Sequence, residues 1–157
     1  HIKTPIFQTL YIVTNENSLL SIHFEKEEME EQYENIAEMP NHPVVKEVEK
    51  QLQEYFVGKR TVFQLPLSLN GTPFQINVWE ALTKIKYGET KSYKDIANAI
   101  QNPKAIRAVG QANRRNKIPI IIPCHRVIGQ NKTLVGYAGD QTNYKEKLLK
   151  LEGIHFD

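Results

Sequence analysis

The chain predicts an α/β N-terminal domain, a small antiparallel sheet plus a helix, followed by a mostly α C-terminal domain with a helix-turn-helix. Three observations predict this order. Early in the chain, short apolar runs flank turn residues, which is strand patterning. Later, apolar residues recur at three- and four-residue spacing behind N-cap signatures, which is helix patterning. The charge also changes sign: residues 1–71 hold 6 Lys/Arg against 11 Asp/Glu, and residues 72–157 hold 14 against 7. The turn Leu69-Asn70-Gly71 marks the boundary, giving domains of 1–71 and 72–157.

In the first domain, Ile6 to Val13 and Ser18 to Phe24 read as two strands around the polar turn Asn15-Glu16-Asn17. Residues 25–41 are acidic with scattered apolar residues and read as a mobile excursion. From Pro43 the spacing of Val44, Val45, Val48, Leu52, Tyr55 and Phe56 predicts a helix that Gly58 ends. A strand is expected around Val62–Leu65.

The second domain opens on Thr72 as N-cap and Pro73 in the first turn, with Phe74, Val78, Leu82 and Ile85 forming one stripe and Trp79 beside it. Ser92 and Asp95 form a capping box in which Asp replaces the usual Glu, and that helix runs to about Ile100. Asn102-Pro103 is expected to cap a second helix from Lys104 to about Asn113. Two short helices around so tight a turn predict the helix-turn-helix. A last helix spans about Thr142 to Glu152, with Gly153 as its terminator.

Composition narrows the function. No apolar stretch approaches the roughly 18 residues of a membrane span, and no signal-peptide core stands at the N-terminus. A single cysteine excludes an internal disulfide and a multi-cysteine zinc site, and the five histidines lack ligand spacing. A metal-free protein in the reducing cytoplasm is therefore expected. Between residues 91 and 132 nine basic residues face one acid, Asp95, which points to a polyanion. Ala105, Ala108 and Ala112 form a small-residue stripe with Gly110 nearby, flanked by Arg107, Arg114 and Arg115. Such a stripe either packs on the preceding helix or lies close to an external surface, with the arginines on phosphates. The basic excess favours nucleic acid.

The chemistry centres on Ile118-Pro119-Ile120-Ile121-Ile122-Pro123-Cys124-His125-Arg126-Val127. A lone cysteine behind an apolar run is ordinarily inert filler. Here a base and a cation follow at once, which is what a nucleophilic thiol requires. Prolines on both sides of Ile120–Ile122 read as stopping a strand at Cys124. Neighbours on a strand point to opposite faces, so Cys124 and His125 cooperate only if the backbone turns there or a water relays the proton. Glu152 is the candidate orienting acid, since a carboxylate in a last helical turn is disfavoured by the macrodipole unless something holds it.

Pro123-Cys124-His125-Arg126-Val127 resembles the active-site signature of the O6-alkylguanine-DNA alkyltransferases. The resemblance extends over 72–153 through Pro73-Phe74-Gln75, Val78-Trp79, Gly88-Glu89-Thr90, Ser92-Tyr93, the run from Asn102 to Gly110, and Gly136-Tyr137-Ala138-Gly139. The first half resembles the family only in layout. The resemblance implies stoichiometric direct-reversal repair of double-stranded DNA by a cofactor-free monomer, with alkyl transfer from guanine O6, or thymine O4, to Cys124. It implies His125 as base, held by Glu152; Asn116 bracing the turn; and Tyr93 hydrogen-bonding the flipped base. The carbonyls of Cys124 and Val127 and the amide of Ala138 would read base edges, with Tyr137 and Pro119 completing the substrate site. Arg107 would fill the gap in the duplex, with Ala105, Ala108 and Gly110 in the minor groove. Asp140, Asn131-Lys132 and Ile106 depart from the family pattern. A DNA-binding thiol sensor and a thiol hydrolase are the competing readings.

Overall fold

Asn15 sets the first turn. Its Oδ1 accepts the backbone N–H groups of Asn17 at 2.8 Å and Ser18 at 2.7 Å, an Asx-type closure that folds the chain back on itself. Strand β1 (Tyr11–Thr14) thereby pairs antiparallel with β2 (Leu19–His23), in the register Ile12 opposite Ile22, with an irregularity at Val13/Thr14. The computed structural model describes residues 1–4, 9–33, 36–129 and 141–154, with 141–143 by backbone only. The expected strand at 6–13 is thus seen from its second half, and Leu10 adds a single bridge to Ile2.

Two expectations for this domain fail, each for a local reason. Within 25–41 the chain forms helix α1 (Lys26–Gln32) rather than an excursion, with Glu27 and Glu28 in the first turn where the macrodipole favours acids. It buries no residue of its own. Polar contacts join it to β2 instead: Glu28 approaches His23 at 3.5 Å, and Tyr33, just past its end, meets the Ser21 hydroxyl at 2.8 Å. No strand forms at 62–65. The buried Gln51 carboxamide takes both backbone groups of Gln64, at 2.9 and 3.0 Å, in place of a neighbouring strand. Arg60 occupies the Val62 carbonyl, Pro66 has no N–H to give, and only Leu67 reaches a bridge with Leu19. Gln51 belongs to α2 (Pro43–Phe56), which His42 caps through Val44 N and which buries Val48, Leu52, Tyr55 and Phe56.

Contacts divide the chain into His1–Leu69 and Asn70–Asp157. The second unit begins with a full capping box on α3 (Pro73–Leu82): Thr72 Oγ1 accepts Gln75 N at 3.1 Å, and Gln75 Oε1 accepts Thr72 N at 3.0 Å. Short β3 (Lys91–Ser92) leads into α4 (Tyr93–Ala99), where Ser92 and Asp95 make the same reciprocal pair at 3.0 and 2.9 Å. The next helix, α5 (Ile106–Arg114), starts two residues later than expected and has no side-chain cap. Gln101, at φ +60°, and the Asn102 carbonyl, accepting Ala105 N, spend residues 101–105 on a turn. β4 (Val127–Ile128) pairs parallel with β3, and α6 (Gln141–Leu151) ends before Gly153 at φ +87°.

Trp79 holds α3 to α5: it is 2% exposed, and its indole N–H donates to the Ala112 carbonyl at 2.9 Å. Its ring lies so close to Gly71 that a Cβ there would sit 2.7 Å from Cη2. Gly71→Ala should therefore overpack this corner and lower stability by about 1–3 kcal/mol, measurable by thermal unfolding; an unchanged melting temperature would refute the steric account.

Candidate active site

The apolar segment before the cysteine is not a strand. Pro119 and Pro123 lack N–H donors, and the Asn116 carboxamide takes two of the remaining backbone groups, accepting Ile118 N at 3.0 Å and donating to the Ile122 carbonyl at 2.8 Å. Ile122 N closes onto the Ile118 carbonyl and Cys124 N onto the Ile122 carbonyl, so the run curls into consecutive turns. Ile120 sits at φ +75°, a conformation a β-branched residue adopts only under strain, and it is 1% exposed. Cys124–Arg126 then make one turn of 3₁₀ helix. The backbone turn that cooperation between Cys124 and His125 requires is therefore present.

On this turn His125 and Arg126 reach one carboxylate. His125 Nε2 lies 2.6 Å from Glu152 Oε2, Arg126 Nε donates to Oε1 at 2.7 Å and Nη2 to Oε2 at 3.1 Å, and Arg126 Nη1 donates to the Ile85 carbonyl at 2.6 Å. Burial alone would raise the Glu152 carboxyl, but the hydrogen bonds and charges of His125 and Arg126 outweigh it and hold the group at about 2. Burial pushes the His125 imidazole below its ordinary value, and the attraction of Glu152 only partly restores it. The pair at neutral pH is thus a carboxylate and a neutral imidazole. A carboxylate can only accept, so Nε2 carries the hydrogen and Nδ1 keeps its lone pair. Nδ1 has no hydrogen-bond partner among the described residues.

Three further groups surround the thiol. Tyr93, the first residue of α4, has its phenol pushed up by burial and by the charge of Cys124, and so stays a donor. Asn113 on α5 shares a side-chain hydrogen bond with Tyr93 and donates to the Cys124 carbonyl at 3.4 Å. Val127 N also donates to that carbonyl, so its two lone pairs are engaged within the chain. Lys145 on α6 is 1% exposed, with Nζ 5.9 Å from the Tyr93 ring centroid. Burial brings its ammonium down to about 8, with the charge of Cys124 acting against the shift. Cys124 itself is 5% exposed.

The other expected residues fall as follows. Val127 is fully buried in β4, and Pro119 is half-buried in the turn. Tyr137, Ala138, Asp140, Asn131 and Lys132 lie outside the described residues. Arg107, Ala108, Arg114 and Arg115 are exposed on or just beyond α5, and Ala105 is half-buried at its N-cap. Gly110 is half-buried, with the Tyr93 ring 3.8 Å from where its Cβ would stand. The alanine stripe does not form one outer face: Ala112 packs inward, its carbonyl taken by Trp79. Among the described residues no cluster of His, Cys, Asp and Glu could hold a metal.

Sequence reasoning missed Asn113, Lys145 and the grip of Arg126 on Glu152. Lys145 left a signal, since it stands two helical turns before Glu152 on the stripe that carries Leu148 and Leu149, where a solvated lysine does not belong.

Residues 73–154 match the 6-O-methylguanine DNA methyltransferase DNA-binding domain, and residues 1–69 match the ribonuclease-like domain of the same proteins. The chain belongs to the 6-O-methylguanine DNA methyltransferase family. It is 48% identical over 156 residues to the constitutive methylated-DNA–protein-cysteine methyltransferase of Bacillus subtilis, covering 98% of this chain and 94% of that one. A Methanosarcina mazei methylated-DNA–protein-cysteine methyltransferase is also 48% identical, over 96% of this chain and 94% of its own. The crystal structure of the Mycobacterium tuberculosis O6-methylguanine methyltransferase superposes with a TM-score of 0.81 at 41% identity, covering 96% of this chain and 89% of that one. The structure of M. tuberculosis OGT in complex with DNA gives 0.78 at 40% identity over the same shares. In this member of the methyltransferase family, Cys124, His125, Glu152, Tyr93, Asn113 and Lys145 all fall within the segment matching the family's DNA-binding domain.

Because Lys145 gives up protons near pH 8 when folded and near 10.5 when unfolded, the unfolded chain holds more protons between those values and stability rises with pH across them. Lys145→Met should raise the melting temperature at pH 7, and that advantage should shrink between pH 8 and 10.5. A constant difference at all pH values would contradict the burial of a titrating ammonium.

Proposed function

We propose that the protein repairs DNA by direct reversal, moving one methyl or other alkyl group from the O6 atom of guanine to Cys124 and ending its own activity in doing so. The observation that carries this reading is the chain Cys124, His125, Glu152, Arg126. It sets a nucleophile next to a neutral imidazole whose orienting carboxylate is fixed from its other side by a guanidinium.

In the proposed step the thiol proton passes to His125 Nδ1, through a water, and Glu152 stabilises the imidazolium that forms. The Cys124 sulfur attacks the alkyl carbon, the S–C bond forms and the C–O6 bond breaks. The oxygen's electron pair returns to the base, which takes back one proton to become guanine. Tyr93 hydrogen-bonds the base as charge develops. Asn116 holds the turn, Val127, Pro119, Tyr137 and Ala138 line the base site, and no cofactor takes part. A thioether is not hydrolysed, and the chain has no second thiol to resolve it. The partner is duplex DNA carrying an alkylated base, approached by a monomer in the cytoplasm. The base must be extruded to reach the thiol, at a cost of a few kcal/mol. Arg107 fills the gap, Ala105, Ala108 and Gly110 allow close approach along the minor groove, and Arg114 and Arg115 contact phosphates. The similarity to methylated-DNA–protein-cysteine methyltransferases supports this reading over the thiol sensor.

Incubation with DNA containing O6-methylguanine should add the mass of one methyl in place of one hydrogen, once per molecule, and Cys124→Ala should abolish the gain. No gain at saturating DNA would overturn the proposal. Arg107→Ala should slow transfer from duplex roughly tenfold to hundredfold, the scale of the extrusion cost, while leaving reaction with the free alkylated base unchanged. Gly110→Ala separates folding from contact. An added methyl meets Tyr93 at an ordinary 3.8 Å, so the helix should gain about 0.5–1 kcal/mol of stability while duplex binding weakens. Unchanged duplex affinity would remove Gly110 from the interface.

A further inference from the structure

The loop after α3 meets both members of the buried Arg126–Glu152 ion pair. Ile85 gives its carbonyl to Arg126 Nη1 at 2.6 Å. Glu89 N then closes onto the Lys86 carbonyl at 3.0 Å, with Gly88 at φ +82°, so Lys86–Glu89 form a tight turn that carries half-buried Tyr87. The Tyr87 ring lies over the Arg126 guanidinium, with Cζ 5.8 Å from the ring centroid, a cation–π distance. Its hydroxyl donates at 3.3 Å to the carbonyl of Leu151, the last residue of α6 and the neighbour of Glu152. Burial and the Glu152 charge push the phenol above its ordinary value against the pull of Arg126, so it stays a donor at neutral pH.

Arg126 spends its N–H groups edge-on, on both Glu152 oxygens and on the Ile85 carbonyl. The faces of a guanidinium make no hydrogen bonds, and an aromatic ring is the group that covers one with a net attraction. Water at that face would screen the ion pair and loosen the carboxylate that orients His125. We propose that Tyr87 is a positioning residue for alkyl transfer, its ring shielding the Arg126–Glu152 pair and so keeping His125 aimed at the thiol. The inference rests on the alkyl-transfer reading above and extends its proton relay one residue beyond Arg126. Leucine or methionine would fill much of the same space but has no π face for the cation.

Loosening Arg126 moves His125 in one direction. Burial holds the imidazole down, Glu152 opposes that, and Arg126 and Lys145 add to it. With Arg126 displaced, less of the Glu152 charge is neutralised and the imidazole gains protons more readily. A protonated imidazole cannot accept the thiol proton, so transfer then fails at a higher pH than in the wild type.

Single-turnover methyl transfer from duplex O6-methylguanine is measured through the pH range in which histidine titrates, for wild type, Tyr87→Phe, Tyr87→Leu and Tyr87→Met. Each molecule reacts once, so the end point counts folded protein and the rate constant belongs to the folded molecules alone. Tyr87→Leu and Tyr87→Met should slow transfer roughly threefold to thirtyfold, the range of a cation–π contact, and move the acid limb upward. Tyr87→Phe keeps the ring and should keep the wild-type limb. An unmoved limb in both ring-less variants, whether or not the rate falls, overturns the role. So does Tyr87→Phe behaving like Tyr87→Leu. Alkylation of Cys124 by iodoacetamide reads the same limb without DNA. Tyr87 is thereby judged even where the wild type takes no methyl, a result that would overturn the repair reading alone.

Discussion

One carboxylate in the interior organises the second domain. Glu152 follows the last turn of α6, where the unsatisfied carbonyls of the helix end repel negative charge. It is held there as an anion because two donors from one short turn converge on it, the Arg126 guanidinium in a side-on pair and the His125 imidazole through Nε2. Arg126 reaches further, to the Ile85 carbonyl just beyond α3. The end of α3, the cysteine turn and the end of α6 are therefore joined through a single ion pair. Adjacent residues can share one acceptor only because Cys124–Arg126 form a 3₁₀ turn, since on a strand His125 and Arg126 would face opposite ways.

The arrangement works against stability at several points, and each lies beside the thiol. Lys145 is a cation taken out of water, Asn113 keeps an acceptor unused among the described residues, and Ile120 holds a backbone conformation that suits glycine. Strain and unpaired polarity of this kind persist only where surrounding structure over-determines them. Here the fixing elements are the Asn116 carboxamide, the two prolines and the apolar packing of Ile118, Ile120 and Ile122, all nearly fully buried. The apolar run before Cys124 is thus a clamp on a strained turn rather than filler behind an inert cysteine. What the competing core-filler reading took as its support, the run of isoleucines, is what positions the sulfur.

How legible this was in the sequence depended on the range of the interaction. The caps at Thr72 and Ser92, the terminator Gly153 and the helix over 43–56 are set within a few residues, and pattern alone located them. The Val62–Leu65 strand failed because a side chain distant in sequence, Gln51, supplies the partner a neighbouring strand would have given. The isoleucine run failed for a related reason: β-branched residues carry the same signal whether the backbone is extended or curled, and the deciding carboxamide of Asn116 lies outside the run. At the site, Cys124, His125 and Glu152 could be argued from reactivity and from an electrostatically awkward position. Asn113 could not, since an asparagine near the end of a basic helix reads as surface. Only its burial between Tyr93 and Cys124 gives it a meaning.

Helix α5 joins an exposed, basic face to the groups beneath it that border the thiol. Its outer positions, Arg107, Ala108 and Arg114, are exposed, while Val109, Ala112 and Asn113 point into the domain. Gly110 rests near the Tyr93 ring, Ala112 is tied to Trp79, and Asn113 bonds both Tyr93 and the Cys124 carbonyl. A rigid rod only nine residues long cannot shift at its outer face without carrying its inner face along. Any movement of the outer face therefore bears directly on the phenol and the carbonyl that border the thiol. Bulk is accommodated on the outer face, where Ile106, Arg107, Gln111 and Arg114 are exposed, and not on the inner one. A side chain larger than alanine at the buried Ala112 would instead displace the helix, and with it Tyr93 and Asn113, from Cys124. The geometry around Cys124 then depends on one helix keeping a single position.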